Sequence, residues 1–312
     1  MPGFLPFQHP RLASHPPDGA HWIHEIKFDG YRQQVRVAAG AVTIWTRNGH
    51  DWTARFPEIV GDASALPDCI LDGELVALNR DGEPDFSALR ASISPGKTGR
   101  LIFFGFDVLW RGQDDLRGFA LKDRKTILEG LIGGGEAGPR LRRVEPLPQG
   151  GPAMLAAACR MGLEGIVSKR RDSVYSAGRS DTWMKAKCRP SQEVVVGGFV
   201  GEPGGVFKAL LVGVYDRQGR LTYAGSIKSG FGRHGGLRKQ LEALEITTCP
   251  FVAGSPPRKT REIRWVRPEL VAAAEIAEWT ASGKLRQASF KGLREDKRPD
   301  EVIREAVGAD VI

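Results

Sequence analysis

His24-Glu25-Ile26-Lys27-Phe28-Asp29-Gly30-Tyr31-Arg32 is the stretch on which the reading of this chain turns. A short strand-like run, His24–Phe28, breaks at an Asp-Gly turn. Alternation along the strand puts Glu25 and Lys27 on one face. A bare Lys-x-Asp-Gly is ordinarily a solvated lysine at a strand end, followed by a turn. A lysine becomes a nucleophile only when neutral, which requires desolvation or neighbouring positive charge. The residues that follow decide between the two.

Charged groups recur downstream in apolar settings. Arg47-Asn48-Gly49 follows the next pair of strand-like runs. Asp72-Gly73-Glu74 lies inside the apolar run Ile70–Leu78, where an acid is costly unless paired or metal-bound. Phe103-Phe104-Gly105-Phe106-Asp107 is an aromatic strand with Phe104 and Phe106 on one face. Glu164-Gly165-Ile166-Val167-Ser168-Lys169 embeds an acid and a lysine in a short strand. Trp183-Met184-Lys185-Ala186-Lys187 sets two lysines on the same side of another. Each has a bland alternative: a turn, a core stripe or a solvated face. Together, a candidate nucleophile, two embedded glutamates, an aromatic platform and a lysine pair describe a nucleotide site. Two acids suit Mg²⁺, and lysine and arginine suit phosphate oxygens.

Size and composition frame that reading. The chain has 312 residues, enough for two modest domains, and is 41% hydrophobic and 26% charged, as ordinary globular proteins are. No apolar run is long enough to span a bilayer and no signal pattern opens the chain, so a cytoplasmic location is expected. Lys and Arg number 45 against 37 Asp and Glu, a formal charge of +8. That balance favours an anionic partner such as nucleic acid. Cys69, Cys159, Cys188 and Cys249 lack metal-ligand spacing and are expected to be free thiols.

The first two dozen or so residues, through Pro6, Pro10, Pro16 and Pro17, read as an extended lead-in. Strand-like runs follow at His24–Phe28, Gln33–Val37, Val42–Thr46, Ile70–Leu78 and Leu101–Leu109, with helical patterns at Leu121–Leu131 and Ala153–Met161. A mixed α+β domain on antiparallel sheets is therefore expected over residues 1–188. After Lys187-Cys188-Arg189-Pro190 the pattern changes. Glu193–Val200, Leu210–Asp216 and Leu221–Ile227, a helix over Gly235–Leu244 and a strand at Glu262–Val266 suit a small OB-fold β-barrel over residues 189–312.

These segments, in this order, resemble the motifs of the covalent nucleotidyltransferase superfamily of ATP-dependent DNA ligases and mRNA capping enzymes. Lys27–Gly30 resembles the first motif, Asp72–Glu74 the third and Phe103–Asp107 its aromatic companion. Glu164–Lys169 resembles the fourth and Trp183–Lys187 the fifth. Phe290–Lys297, ending in Arg294-Glu295-Asp296-Lys297, resembles the sixth. The likeness is nearest to the ligase domain of the bacterial end-joining ligases, ligase D. It implies an adenylation (nucleotidyltransferase) domain followed by the OB-fold domain.

The same resemblance implies residue roles. Lys27 attacks the α-phosphorus of ATP, forms lysyl-AMP and expels pyrophosphate. Lys185 and Lys187 contact the α-phosphate and favour a neutral Lys27. Arg32 and Arg47 hold the phosphate and ribose side, Glu74 the ribose or metal, and Glu164 the metal, Mg²⁺ or Mn²⁺. Phe106, with Phe104 as a second candidate, stacks on adenine, and backbone near Glu25 and Ile26 reads its amino group. Arg179 matches a further nucleotide-contacting arginine. Arg294 and Lys297 orient the pyrophosphate when the second domain closes, and a hinge near residues 188–192 reopens for DNA.

Nicked duplex DNA is the implied partner, with a Ku-type end-binding protein as a second, and a monomer acting in the bacterial cytoplasm or nucleoid is expected. Only 26 residues precede Lys27, so the large N-terminal DNA-binding domain of bigger ligases is expected to be absent. The alternatives are an RNA ligase or capping-type nucleotidyltransferase, or a non-catalytic DNA-end-binding module.

Overall fold

The computed structural model describes residues 1–79, 82, 84, 85, 88, 89, 92, 101–133, 137–202, 207–231 and 236–305. They form two units, residues 1–188 and 189–305. Gly235, at the start of the expected helix over Gly235–Leu244, and residues 306–312 of the expected second domain lie outside the described residues.

Strict alternation builds the first unit. The strands Tyr31–Ala38 (β3), Ala41–Thr46 (β4), Cys69–Ala77 (β5), Leu101–Arg111 (β6) and Asp114–Asp115 (β7) join in the order β4-β3-β5-β6-β7. Leu141–Arg143 (β8) adds to β6 in parallel. Tyr31, Val35 and Val37 of β3 point outward with Leu71 and Leu75 of β5 and Phe103 of β6. Helices Pro57–Ala63 (α1) and Leu121–Ile132 (α2) cover that face with Ile59, Leu128, Leu131 and Ile132. The opposite face, with Arg32, Gln34, Asp72 and Glu74, turns inward.

A second sheet has the order β1-β10-β9-β2, from Gln8–Leu12 (β1), Trp22–Lys27 (β2), Gly165–Arg170 (β9) and Gly178–Lys187 (β10). Its outer face, with Ile166 and Ala186, packs under Met154, Leu155 and Ala158 of helix Gly151–Arg160 (α3). Its inner face meets the first sheet through Leu5, Ile70, Leu109, Tyr175 and Trp183. Between the two inner faces lies the cleft that holds Lys27.

Two expectations need correcting. The opening residues are more than a lead-in: β1 pairs in parallel with β10, and Leu5 and Phe7 are buried. Buried Gln34 fastens this segment, accepting from the Leu5 N–H at 3.0 Å and donating to its carbonyl at 2.6 Å. Polar and proline-rich composition hid a strand whose partner lies about 170 residues away. Cys159 and Cys188 are not free thiols: they form a disulfide with their Cα atoms 5.2 Å apart. The last turn of α3 crosses the end of β10 there, a proximity that a separation of 29 residues does not reveal. Cys69 and Cys249 are free, as expected.

The second unit is the expected OB-type barrel. Ser191–Gly201 (β11), Phe207–Tyr215 (β12), Leu221–Ile227 (β13), Glu245–Ile246 (β14) and Ile263–Glu275 (β15) run in the order β13-β12-β11-β15-β14. Glu278–Trp279 (β16) and Leu285–Arg286 (β17) form a small hairpin, and Ser289–Leu293 (β18) pairs with β15. A bridge between Ser229 and Ser289 joins the two ends of this sheet. Helix Leu237–Ala243 (α4) contributes Leu237 and Leu241 to a core of Val194, Phe199, Leu210, Trp265 and Phe290.

Candidate active site

The register of the second sheet assembles the cleft floor. Lys27 stands opposite Gly165, and Gly165 opposite Lys187. One step along, Glu25 stands opposite Val167 and Val167 opposite Lys185. Directly paired residues of antiparallel strands share a face, so Lys27 and both lysines of β10 face the cleft. Two strand spacings separate Lys27 from Lys187, roughly 10 Å between backbones, with no side chain on the intervening glycine. A phosphoryl group fits such a gap, with an ammonium on either side.

Gly165 is required there for a second reason. Its φ is +151°, and a Cβ would lie 2.1 Å from the Ala186 carbonyl oxygen. Only glycine lets β9 approach β10 this closely.

Lys27 Nζ donates to Glu164 Oε2 at 2.5 Å, with both side chains about four-fifths buried. Burial pulls the Lys27 ammonium down, but the carboxylates of Glu164, Asp29 and Glu74 outweigh it and hold the group above the ordinary lysine value. The resting lysine is therefore charged, and its activation requires that these carboxylates be neutralised. Glu74 is the one residue of β5 that is not fully buried, and it stands opposite Arg32 on one side and Phe104 on the other.

Glu164, Asp29 and Glu74 thus act on the one ammonium. Among the described residues no three His, Cys, Asp or Glu side chains group as a ready-made metal site. Glu164 and Glu74 could supply one or two ligands, leaving the rest to phosphate oxygens and water, as Mg²⁺ favours.

Arg32 is placed inside the cleft and fully engaged. Its Nε and Nη2 donate to the buried Asp72 carboxylate at 3.0 and 2.7 Å, and its Nη1 to the Gln8 carbonyl at 2.6 Å. Tyr175 also donates to Asp72 at 2.7 Å. This network explains the acid in β5 and ties β1, β3 and β5 together.

Phe106 is cleft-facing and half-buried, with Lys169 Nζ 4.1 Å and the Arg32 guanidinium 5.2 Å from its ring centre. Phe104 stacks on Phe28, centroids 4.4 Å apart. Beside Phe106, the buried Glu25 carboxylate pairs with Lys169 at 2.6 Å and with Lys125 of α2. Burial pushes Lys169 down to about 8, against the pull of Glu25. Lys125 was invisible in the sequence, where it reads as one more charged residue of an amphipathic helix.

Other candidates fall elsewhere. Arg47 is half-buried in the turn after β4. Ile26 points to the outer face, opposite Ile166. Arg179 is exposed on the part of β10 that pairs with β1, six residues or roughly 20 Å from Lys185 along the strand. In the second unit, Arg294 makes a two-point ion pair with Asp296, both bonds 2.9 Å, and Lys297 pairs with Glu193 at 2.8 Å.

Residues 15–187 match the family described as ATP dependent DNA ligase domain, and residues 203–297 match the ATP dependent DNA ligase C terminal region. The multifunctional non-homologous end joining protein LigD of Pseudomonas aeruginosa is 40% identical over 98% of this chain and 37% of its own length. Its Mycobacterium tuberculosis counterpart is 37% identical over 95% of this chain and 40% of its own length. The chain thus spans about two fifths of these curated relatives. Among solved structures, a mycobacterial DNA ligase D complexed with ATP and MES superposes with a TM-score of 0.67 at 36% identity, covering 95% of this chain and 98% of that one. The ligase domain of M. tuberculosis LigD gives 0.51 at 35% identity over the same shares. With the two domain families matched in order along it, the chain belongs to the ATP-dependent DNA ligases.

Proposed function

We propose that this enzyme seals nicks between a 3′-hydroxyl and a 5′-phosphate in duplex DNA, and that it serves double-strand-break end joining. The observation that carries the reading is the row Lys27, Gly165, Lys187, with Glu164 on the Lys27 ammonium. The α-phosphate of ATP lies between the two lysines. Lys27 Nζ, its ammonium proton given up to solvent, attacks phosphorus, the phosphorus–oxygen bond to pyrophosphate breaks, and lysyl-AMP remains. Lys185 and Lys187 stabilise the charge that develops on the phosphoryl oxygens. AMP then passes to the 5′-phosphate of the nick, and the 3′-hydroxyl displaces it.

A divalent cation, Mg²⁺ or Mn²⁺, would be held by Glu164 with Glu74 and would supply charge neutralisation at this edge, where Glu164 otherwise favours the Lys27 ammonium. The base lies against Phe106, which requires Lys169 to move aside, and the backbone near Glu25 and Ile26 reads it. Arg47 holds the ribose-phosphate side, and Arg32 acts by fixing Asp72 and the inner sheet face. Arg294 and Lys297 exchange their partners within the second unit for pyrophosphate. The basic surface grips DNA, so binding falls with salt. The enzyme works as a monomer in the bacterial cytoplasm, with a Ku-type end-binding protein as partner. No helix among the described residues is long and apolar enough to cross a membrane.

The test is intact-protein mass after incubation with ATP or GTP and a divalent cation. Gain of one AMP from ATP, lost in Lys27→Ala, is the expected result. Uptake of GMP would favour capping chemistry, and AMP retained by the variant would move the nucleophile elsewhere.

A further inference from the structure

Cys188 touches the active site through its backbone. It follows Lys187 directly, and its N–H donates to the Glu164 carbonyl at 2.9 Å. The Glu164 carboxylate in turn holds Lys27 at 2.5 Å. Its sulfur is bonded to Cys159, in the last turn of α3. The turn from Cys159 to Glu164 is therefore fastened at both ends to one residue: by the disulfide at Cys159 and by the hydrogen bond at Glu164. Within it, Gly162 at φ +73° donates to the Cys159 carbonyl at 3.2 Å, and Leu163 to Ala158 at 3.0 Å. This is a short, closed bracket, and Glu164 is its open end.

We propose that the Cys159–Cys188 disulfide is a redox-sensitive strut that positions Glu164 against Lys27, so that reduction slackens the cation-binding edge and slows lysyl-AMP formation. The strut deepens the ligase reading above and rests on Glu164 acting at that edge. Disulfides that must persist among cytoplasmic dithiols are uncommon, and those found there are usually transient and sensing. The chemistry is ordinary exchange. A dithiol thiolate attacks one sulfur, its second thiolate resolves the mixed disulfide, and two cysteine thiols and one oxidised dithiol result. The apolar contacts of α3 remain, so the helix stays docked while the bracket loses one fastening. Cys159 and Cys188 are positioning residues; neither meets the reacting atoms.

The whole chain is compared after treatment with oxidised glutathione and after treatment with dithiothreitol. Denaturing alkylation of the oxidised protein should modify two thiols, Cys69 and Cys249; modification of all four would overturn the proposal. Hydrogen exchange is then followed in peptides spanning residues 163–167 and 186–190. Reduction should speed exchange at the Cys188 amide severalfold, and unchanged protection would refute the strut. The third readout is the Mg²⁺ concentration that half-saturates lysyl-AMP formation, beside the rate at saturating Mg²⁺. Outer groups that orient a metal ligand typically govern affinity by about 10- to 100-fold, so half-saturation should rise about tenfold on reduction, with a smaller fall in saturated rate. Cys159→Ser should behave as the reduced protein whatever the redox treatment. Equal Mg²⁺ dependence in all forms, or a redox response that survives Cys159→Ser, would sink the idea. If neither form takes up AMP, the ligase reading falls, and the exchange measurement still decides the strut.

Discussion

Replacing Gly165 with alanine puts a methyl group into a space that is already occupied. Its Cβ would stand 2.1 Å from the Ala186 carbonyl oxygen and 2.9 Å from the Lys187 Cα, both backbone atoms that no rotamer change can move aside. Ordinary contact requires β9 and β10 to separate by about 1 Å at this point, an overpacking that costs about 1–3 kcal/mol. The φ of +151° adds strain of about 1–3 kcal/mol for a residue with a Cβ. The sum, about 4 kcal/mol, should lower the Tm of the first unit by roughly 8–16 °C at about 2–4 °C per kcal/mol. The displaced strand end carries Lys187, and the neighbouring residue is Glu164. A misplacement of about 1 Å in a reacting constellation can cost about 100-fold in rate. Single-turnover lysyl-AMP formation, measured well below the lowered Tm, should therefore fall by about that factor. An alanine variant with native Tm and native adenylation rate would refute the row of Lys27, Gly165 and Lys187 as the organising feature of the site.

Alanine at Glu74 or Glu164 should slow adenylation about 100-fold, the scale of losing one electrostatic contact; near-native rates across a Mg²⁺ titration for both would make them structural. Asp72→Ala leaves Arg32 buried without its carboxylate and should cost about 3–5 kcal/mol in urea denaturation, whereas a loss under 1 kcal/mol would show that the pair contributes little. Arg294→Ala and Lys297→Ala should cripple adenylation from ATP but largely spare sealing of a nick that already carries 5′-adenylate. Equal loss in both assays, with rescue at low salt, would assign these residues to DNA grip instead.

The sequence made the cleft floor legible because strand alternation is a strong local signal. Once Lys27, Lys185 and Lys187 are placed on strands, their shared face follows from register alone. Glu164 was readable as an acid calling for a counter-ion, but it lies in the turn just before β9 and not within the strand expected there. What stayed hidden depends on long-range pairing. Asp72 was flagged as an acid needing a partner, but nothing local named Arg32, which had been read as a phosphate ligand. Lys125 sits on a helix where Lys122, Asp123 and Glu129 are exposed, and nothing local marks it, or the buried Arg124 beside it, as different. The partnership of Cys159 with Cys188 and the β1–β10 pairing are tertiary facts with no local trace.

The pairing of β1 with β10 also fixes when the nucleophile can be assembled. Strands β3, β4, β5 and β6 lie close in sequence and can join as soon as they are synthesised, with α2 closing over them. The strand bearing Lys27 has no such neighbour: its partner β9 comes about 140 residues later, and β1 waits for β10 at the very end of the unit. Long-range closures of this kind form slowly and late. On the ribosome, the scaffold with Asp72 and Glu74 can exist before the lysine has a sheet to sit in. Lys27 meets Glu164 only when β9 has emerged, and Lys185 and Lys187 follow on β10, so the reactive row is completed last.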